Sequence, residues 1–270
     1  MGSEQQPRNE VNEEEWRAFL EKPDNLMGMG RNVFAHIPSS PRCQLCASPF
    51  FGAGGAMMRV IGKGQSSANP LMCTSCEKQL LKRRGGAEVE TSLLFADVRG
   101  STELGERLSP TDFRAKLARY YTVASDAVFA NRGIVDKFVG DELVAAFPPF
   151  LGEVHAKRAL DAARDVLRAT GHGDHGDPWL PVGAAVHTGR MWFGTVGDGA
   201  HVEITVLGDV VNTTARLVAA AGAGEIYVSA DAAGVIIDFD LVYRELIAPA
   251  VEDADLEPLR ADEELTGGII

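Results

Sequence analysis

Residues 134–147 read IVDKFVGDELVAAF. Two β-rich apolar pieces, IVDKFV and ELVAAF, flank the pair Gly140-Asp141, which is the pattern of a strand–turn–strand hairpin. On its N-terminal side, TSLLFADV (91–98) is an apolar run of strand length. Ser109-Pro110-Thr111-Asp112 carries the signals of a helix start: a serine cap, proline at the first helical position and an acid in the first turn. That helix should run through FRAKLARYYTVASDAVFA and stop before Gly133. On the C-terminal side, LGEVHAKRALDAARDVLRATG predicts a long helix ending at Gly171. PVGAAVHTG, HVEITVLG and EIYVS predict strands, and DVVNTTARLVAAAGAG a helix closed by Gly222. The order β-α-β-β-α-β, followed by β-α-β, predicts an α+β fold with a ferredoxin-like sheet and its helices on one side.

The rest of the chain divides by composition. Residues 1–40 form a polar N-terminal segment with one amphipathic piece, EEEWRAFL, where Trp16, Phe19 and Leu20 share a helical face. Residues 41–86 are Gly-rich and hold all four cysteines, a small module of their own. RRGGAE (83–88) reads as a hinge because paired glycines break regular structure. The regular alternation then spans 88–246, and 247–270 reads as an acidic tail. Residues 1–15 carry five acids against one arginine, and residues 252–264 seven against one, so the ends hold most of the net charge of −12. They read as solvated tails. The near-neutral body offers no broad basic face for nucleic acid, though a few placed cations could receive an anionic ligand. Of the 270 residues, 45% are apolar and 24% charged, the balance of a soluble globular protein. No apolar run approaches the ~20 residues that span a bilayer. The polar start resembles no signal or transit peptide, so a reducing cytoplasm is the expected compartment.

Asp97 ends an apolar strand and is followed by Val98-Arg99-Gly100-Ser101-Thr102. A carboxylate there suits a hard cation, while the turn and helix-start amides of Gly100, Ser101 and Thr102 suit a phosphate. Asp141 sits at the hairpin tip, and two strands of one sheet can bring both acids side by side. Carboxylates so placed repel unless a divalent cation lies between them.

FADVRGST, KFVGDELVAAF, VHTG and GDVVNTTARL occur in that order. Over roughly residues 90–230 the chain resembles the class III nucleotidyl cyclases, the adenylyl and guanylyl cyclase family. The resemblance implies that Asp97 and Asp141 hold two Mg²⁺ or Mn²⁺ ions, with a backbone carbonyl from Val98. It implies that Lys137 recognises the base, that Asn212 and Arg216 stabilise the transition state, and that Arg190 binds phosphate. In this family the site lies between two catalytic domains, with the metal aspartates on one and the lysine, asparagine and arginine on the other. One domain here holds both sets, so a homodimer with two equivalent sites is expected.

Lys137 only donates hydrogen bonds, so it suits adenine N1, whereas guanine presents N1–H. The companion position, seven residues before Asn212, is Thr205, whose hydroxyl can accept from the adenine amine. A Lys–Thr pair resembles the subgroup that includes cyanobacterial and mammalian soluble adenylyl cyclases. The expected activity is that of a phosphorus–oxygen lyase, an adenylate cyclase turning ATP into 3′,5′-cyclic AMP and pyrophosphate for intracellular signalling. The alternatives are a guanylate cyclase, or a non-catalytic cyclase-like module that binds nucleotide and passes a signal to a partner. One departure stands out. The family's phosphate-binding lysine near the domain's C-terminal end has no counterpart, since no lysine follows Lys157. Arg190, Arg244 and Arg260 are the candidate replacements.

Cys43-x2-Cys46 and Cys73-x2-Cys76, separated by 26 residues, suit a tetrahedral thiolate site, as in a zinc ribbon or treble clef. Structural Zn²⁺ is the expected occupant, with an iron or iron–sulfur centre and redox thiols as alternatives. EKQLLKRR after the second pair predicts a helix whose start would lower the thiolate pKa. Its role reads as a folded cap or dimer support, against a regulatory one. His187 reads as a packed residue, His172 and His175 as a solvated loop, and Lys82 with Arg83 and Arg84 as a solvated helix end.

Overall fold

The computed structural model describes residues 13–21, 31, 33–34, 36–37, 39, 41–67, 72–82, 85–152, 154–173, 177–197, 203–239 and 258–260. In chain order the elements are α1 (Glu13–Glu21), α2 (Gly52–Val60), α3 (Thr74–Lys82), β1 (Gly85–Val98), α4 (Ser101–Arg107), α5 (Pro110–Ala130), β2 (Ile134–Val139) and β3 (Glu142–Phe147). A 3₁₀ turn (Pro149–Leu151) leads to α6 (His155–Thr170), β4 (Val182–Val196), β5 (Glu203–Leu207), α7 (Asp209–Ala220), β6 (Glu225–Val228), α8 (Ala230–Phe239) and β7 (Pro258–Arg260). The chain forms two compact units, residues 1–89 with 192–207, and residues 90–191 with 208–270.

The strand order is β2-β3-β1-β4-β6-β7, with β5 paired to β4. Its first four members follow the order of a βαββαβ ferredoxin-like sheet, as expected. β3 runs antiparallel to both β1 and β2, and β6 runs parallel to β4. In the second unit α5 and α6 pack on each other and both meet β3. The core is apolar on both faces of β1, where Leu93, Leu94 and Phe95 are buried, and continues through Leu143, Phe147, Val166 and Leu167. The start of α5 is set by local chemistry: Ser109 Oγ accepts from the Asp112 amide at 3.2 Å, with Pro110 in the first turn. At its end, Gly133 packs where a Cβ would lie 2.7 Å from both the Phe147 ring and Val128, so only glycine fits.

Several expectations are corrected. RRGGAE contains no hinge at its glycines: Gly85 and Gly86 begin β1. A Cβ on Gly86 would stand 2.5 Å from the Phe193 carbonyl oxygen and from the Trp192 ring, so glycine serves close packing against β4. α6 starts at His155 rather than Leu151, because Gly152 (φ 146°) and Val154 (φ 54°) leave helical geometry. The Gly-rich four-cysteine segment carries a further helix, α2, and a short helix α4 follows Gly100. Within the expected acidic tail, Pro258–Arg260 pair with β6. In α1, Trp16 and Leu20 are buried together, as their spacing predicts. Arg83, Arg84, His175 and Arg244 lie outside the described residues.

His172 is also corrected. It is buried, and its Nε2 accepts from the Val182 amide at 3.0 Å. His187 is packed, bonding Ser229 Oγ at 2.7 Å. His155 bonds Ser92 Oγ at 2.8 Å, and Ser92 bonds Thr188 at 2.6 Å. Burial lowers the pKa of all three, and that of His155 falls to about 4, helped by the Arg158 charge. Glu90 lies 3.8 Å from His155 and acts in the opposite sense, but its side chain is 59% exposed and screened by solvent. Below the ordinary histidine pKa the unfolded chain takes up a proton that the folded chain refuses. This contribution is therefore lost as pH falls from about 6.5 towards 4, an effect of up to roughly 3 kcal/mol. Denaturant titrations of wild type and His155→Gln at pH 7 and pH 5 check this: the stability gap between them should narrow at pH 5. A gap that stays constant with pH refutes it.

Candidate functional site

β1 and β3 build the acidic end of the second unit. Their register sets Asp97 opposite Glu142, which places Asp141, the preceding turn residue, beside it. Gly140 takes φ 63° in this two-residue turn, a conformation glycine adopts freely. Burial raises the pKa of Asp97. Arg99 opposes that shift and Asp141 adds to it, while the Val98 amide donates to the carboxylate. Glu142 is pushed up to about 6, by burial first and then by repulsion from Asp97 and Asp141. Three carboxylates thus share one strand end, with Asp97 next to Asp141. A hard divalent cation held by Asp97 and Asp141 would relieve the repulsion between them.

Three supports of this end carry no signal in the spacing. Arg99 donates to the Asp97 carboxylate and carbonyl, and its own amide bonds the Pro181 carbonyl at 2.8 Å. Tyr120 on α5 is fully buried and donates to the Ala96 carbonyl at 2.8 Å, one residue before Asp97. Tyr121 donates to the Gly140 carbonyl and stacks on Phe138 at 4.0 Å. Burial and the neighbouring acids keep both phenols protonated, so both remain donors. Adjacent tyrosines on one helix therefore hold the backbone one residue before each acid.

Lys137 lies on β2 just after a register shift. Val135 pairs with Ala145 and Lys137 with Val144, which leaves Asp136 as the extra residue of a bulge. A bulge re-aims the following side chain. Here the Asp136 side chain is 6% exposed and that of Lys137 35%, with 3.6 Å between their charged atoms. Gly100 adopts φ 67° and caps α4, so Ser101 and Thr102 occupy its first turn, as the strand-to-helix reading expects. Asn212 and Arg216 are both exposed, four residues apart on one face of α7. Arg190 is exposed on β4. Thr205 belongs to the first unit, where it is buried on β5 opposite Gly194. The structure thus brings Asp97 and Asp141 together, and sets Asn212 and Arg216 on an outward helix face.

In the first unit the four cysteines meet. Cys43, Cys46, Cys73 and Cys76 are buried and unbridged, with all four sulfurs within 4.8 Å of one another. Their protons are shared unequally. Hydrogen bonds from its neighbours lower the pKa of Cys73, and a bond from Cys43 lowers that of Cys46. Cys43 and Cys76 are raised in turn by bonds to the other sulfurs. Burial disfavours the charge on Lys63, but the nearby sulfurs outweigh it and hold its pKa up. Among the described residues, no helix is long and apolar enough to cross a membrane.

Known proteins share part of this chain. It is 33% identical over 132 residues to an adenylate cyclase of Anabaena cylindrica, covering 47% of this chain and 26% of that protein. It is 30% identical over 139 residues to adenylate cyclase 1 of Rhizobium meliloti, covering 47% of this chain and 20% of the relative. The chain thus spans about a quarter or less of these curated relatives. Among solved structures, the adenylyl cyclase CyaB from P. aeruginosa superposes with a TM-score of 0.50 at 26% identity, covering 57% of this chain and 83% of that one. The guanylyl cyclase Cya2 does so with a TM-score of 0.50 at 27% identity, covering 56% and 80%. The model of the adenylate and guanylate cyclase catalytic domain matches residues 87–248, which hold the crowded carboxylates and the Asn212–Arg216 face, and the chain belongs to that family.

Proposed function

We propose that this cyclase domain is an adenylate cyclase, converting ATP to 3′,5′-cyclic AMP and pyrophosphate in intracellular signalling, as a homodimer with two equivalent sites. The observation that carries the reading is the β1–β3 register, which sets Asp97 opposite Glu142 and so beside Asp141. Asp97 and Asp141, with the Val98 carbonyl, would hold two Mg²⁺ or Mn²⁺ ions. When bound, these ions lower the pKa of the ribose 3′-hydroxyl and neutralise charge on the phosphates. Tyr120 and Tyr121 keep the two acids in position. The turn Gly100-Ser101-Thr102 offers amides to the phosphates, and Arg190 offers a further cation in place of the family's lysine. Lys137 donates to adenine N1, and Thr205 accepts from the N6 amine. Asn212 and Arg216 face outward on α7, a placement suited to reaching the nucleotide held by a partner subunit. There Arg216 steadies the charge that grows on the α-phosphate as the 3′-oxygen attacks. The proposed enzyme is cytoplasmic.

The experiment is one assay of purified protein with ATP or GTP, in magnesium or manganese. Cyclic AMP from ATP, exceeding cyclic GTP from GTP by about a hundredfold in kcat/KM, is the expected result, because the Lys137 donor facing the guanine N1–H leaves both unpaired. Preferred use of GTP would make it a guanylate cyclase. Nucleotide binding without product in either metal would make it a non-catalytic signalling module.

A further inference from the structure

The four-cysteine segment lies outside residues 87–248, so membership of the cyclase family says nothing of it. Its geometry is informative in itself. A tetrahedral ion with metal–sulfur bonds of about 2.3 Å holds its sulfurs about 3.8 Å apart. Cys46 Sγ and Cys73 Sγ, one from each pair, stand 3.7 Å apart, and no two of the four sulfurs are separated by more than 4.8 Å. A disulfide would hold its sulfurs near 2.05 Å. A bridged iron–sulfur cluster seats its thiolates on different irons and spreads them further than a single ion does. The spacing is that of four ligands on one ion.

The surrounding backbone is arranged to aim these sulfurs. The first pair sits in a tight turn: the Ala47 amide donates to the Cys43 carbonyl at 2.8 Å, and the Cys43 amide donates to the Ser48 carbonyl at 2.9 Å. Closing that turn puts Ala47 at φ 61°, a left-handed conformation that costs a residue with a Cβ on the order of 1 kcal/mol. Cys73 directly precedes α3 and Cys76 lies in its first turn, where the Cys76 amide donates to Cys73 Sγ at 3.4 Å. Cys73 also bridges to Gln65, and Thr74 binds the Gly64 carbonyl through both its amide and its hydroxyl. Each pair is thus fixed by its own hydrogen bonds. Yet the four cysteines are at most 4% exposed, with their thiols gathered on one another. Four facing thiols with little else to bond are a poor core, whereas four thiolates around a dication are a strong one.

We propose that Cys43, Cys46, Cys73 and Cys76 hold one zinc ion in a closed, structural tetrathiolate site that ties the turn at Cys43–Ala47 to the start of α3. Zinc suits four buried thiolates with no open position for substrate, and it outcompetes ferrous iron at such a donor set. Binding replaces the thiol protons: one Zn²⁺ and four cysteine thiols give a tetrathiolate of charge −2 and four protons released. The site shares no residue with the acids of β1 and β3, so it stands or falls independently of the cyclase reading.

The test is the metal content of the full chain after dialysis against metal-free buffer. One zinc per chain is expected in wild type and in Asp97→Asn alike, and none in Cys76→Ser. Because Cys76→Ser could fail to fold, a second measurement uses wild type alone. Replacement of the zinc by Co²⁺ should give intense visible bands of a tetrahedral site together with near-ultraviolet thiolate-to-cobalt charge transfer. All four thiols should be alkylated only after a strong chelator is added. Zinc lost equally in Asp97→Asn, an iron chromophore in the purified protein, disulfides in place of thiols, or a weak octahedral cobalt spectrum would each overturn the proposal.

Discussion

Asp97→Asn should cut turnover by on the order of a thousandfold, the upper range for removing a group that stabilises transition-state charge. Asparagine keeps the shape and loses the charge, so the change isolates metal binding from packing. Fold stability should hold or rise, because burial and Asp141 already disfavour the Asp97 charge and raise its pKa. Relief of that repulsion offsets the loss of the Arg99 ion pair at the same carboxylate. The measurement pairs single-turnover kinetics with a denaturant titration. Turnover near wild type would remove Asp97 from the chemistry. A collapse of turnover accompanied by a large loss of stability would make it a structural residue instead.

Arg216→Ala should raise the barrier by about 3 kcal/mol, a loss of about a hundredfold in kcat, while nucleotide affinity changes little. Arg216 is exposed and donates to Thr213 Oγ1 at 3.3 Å, so truncation leaves no buried group unpaired. The proposed subunit arrangement sharpens the test. Asp97→Asn spoils the metal half of a site and Arg216→Ala the other half. Mixed one to one and allowed to exchange, the two inactive chains form heterodimers that each regain one intact site. Random pairing then restores about a quarter of wild-type activity. No recovery on mixing would argue that both sets serve one site within a single chain, against the dimer.

Much of this was legible because the relevant forces act locally. The cap at Ser109, the break at Gly171 and the Gly140-Asp141 turn are each decided by a few adjacent residues. So is the shared face of Asn212 and Arg216, which follows from helical spacing alone. The two cysteine pairs announced a common site for a similar reason, because a two-residue gap lets both sulfurs turn to one side.

What stayed hidden depends on partners distant in the chain. Gly85 and Gly86 look like a hinge until β4 is seen to approach too closely for any side chain at Gly86. His172 looks like solvated loop until the Val182 amide bonds it in the interior. The bulge at Asp136 that re-aims Lys137 is a mismatch between two strands, which neither strand encodes by itself. Tyr120 and Tyr121 matter because α5 lies where their hydroxyls meet the carbonyls of Ala96 and Gly140. The sequence by itself determined the order of the elements, the chemistry available at their ends and the family. Only the tertiary structure decided which strand residues face one another, because register and close approach arise from packing between segments far apart along the chain. That packing is what sets Asp97 beside Asp141 and gathers four sulfurs at one point.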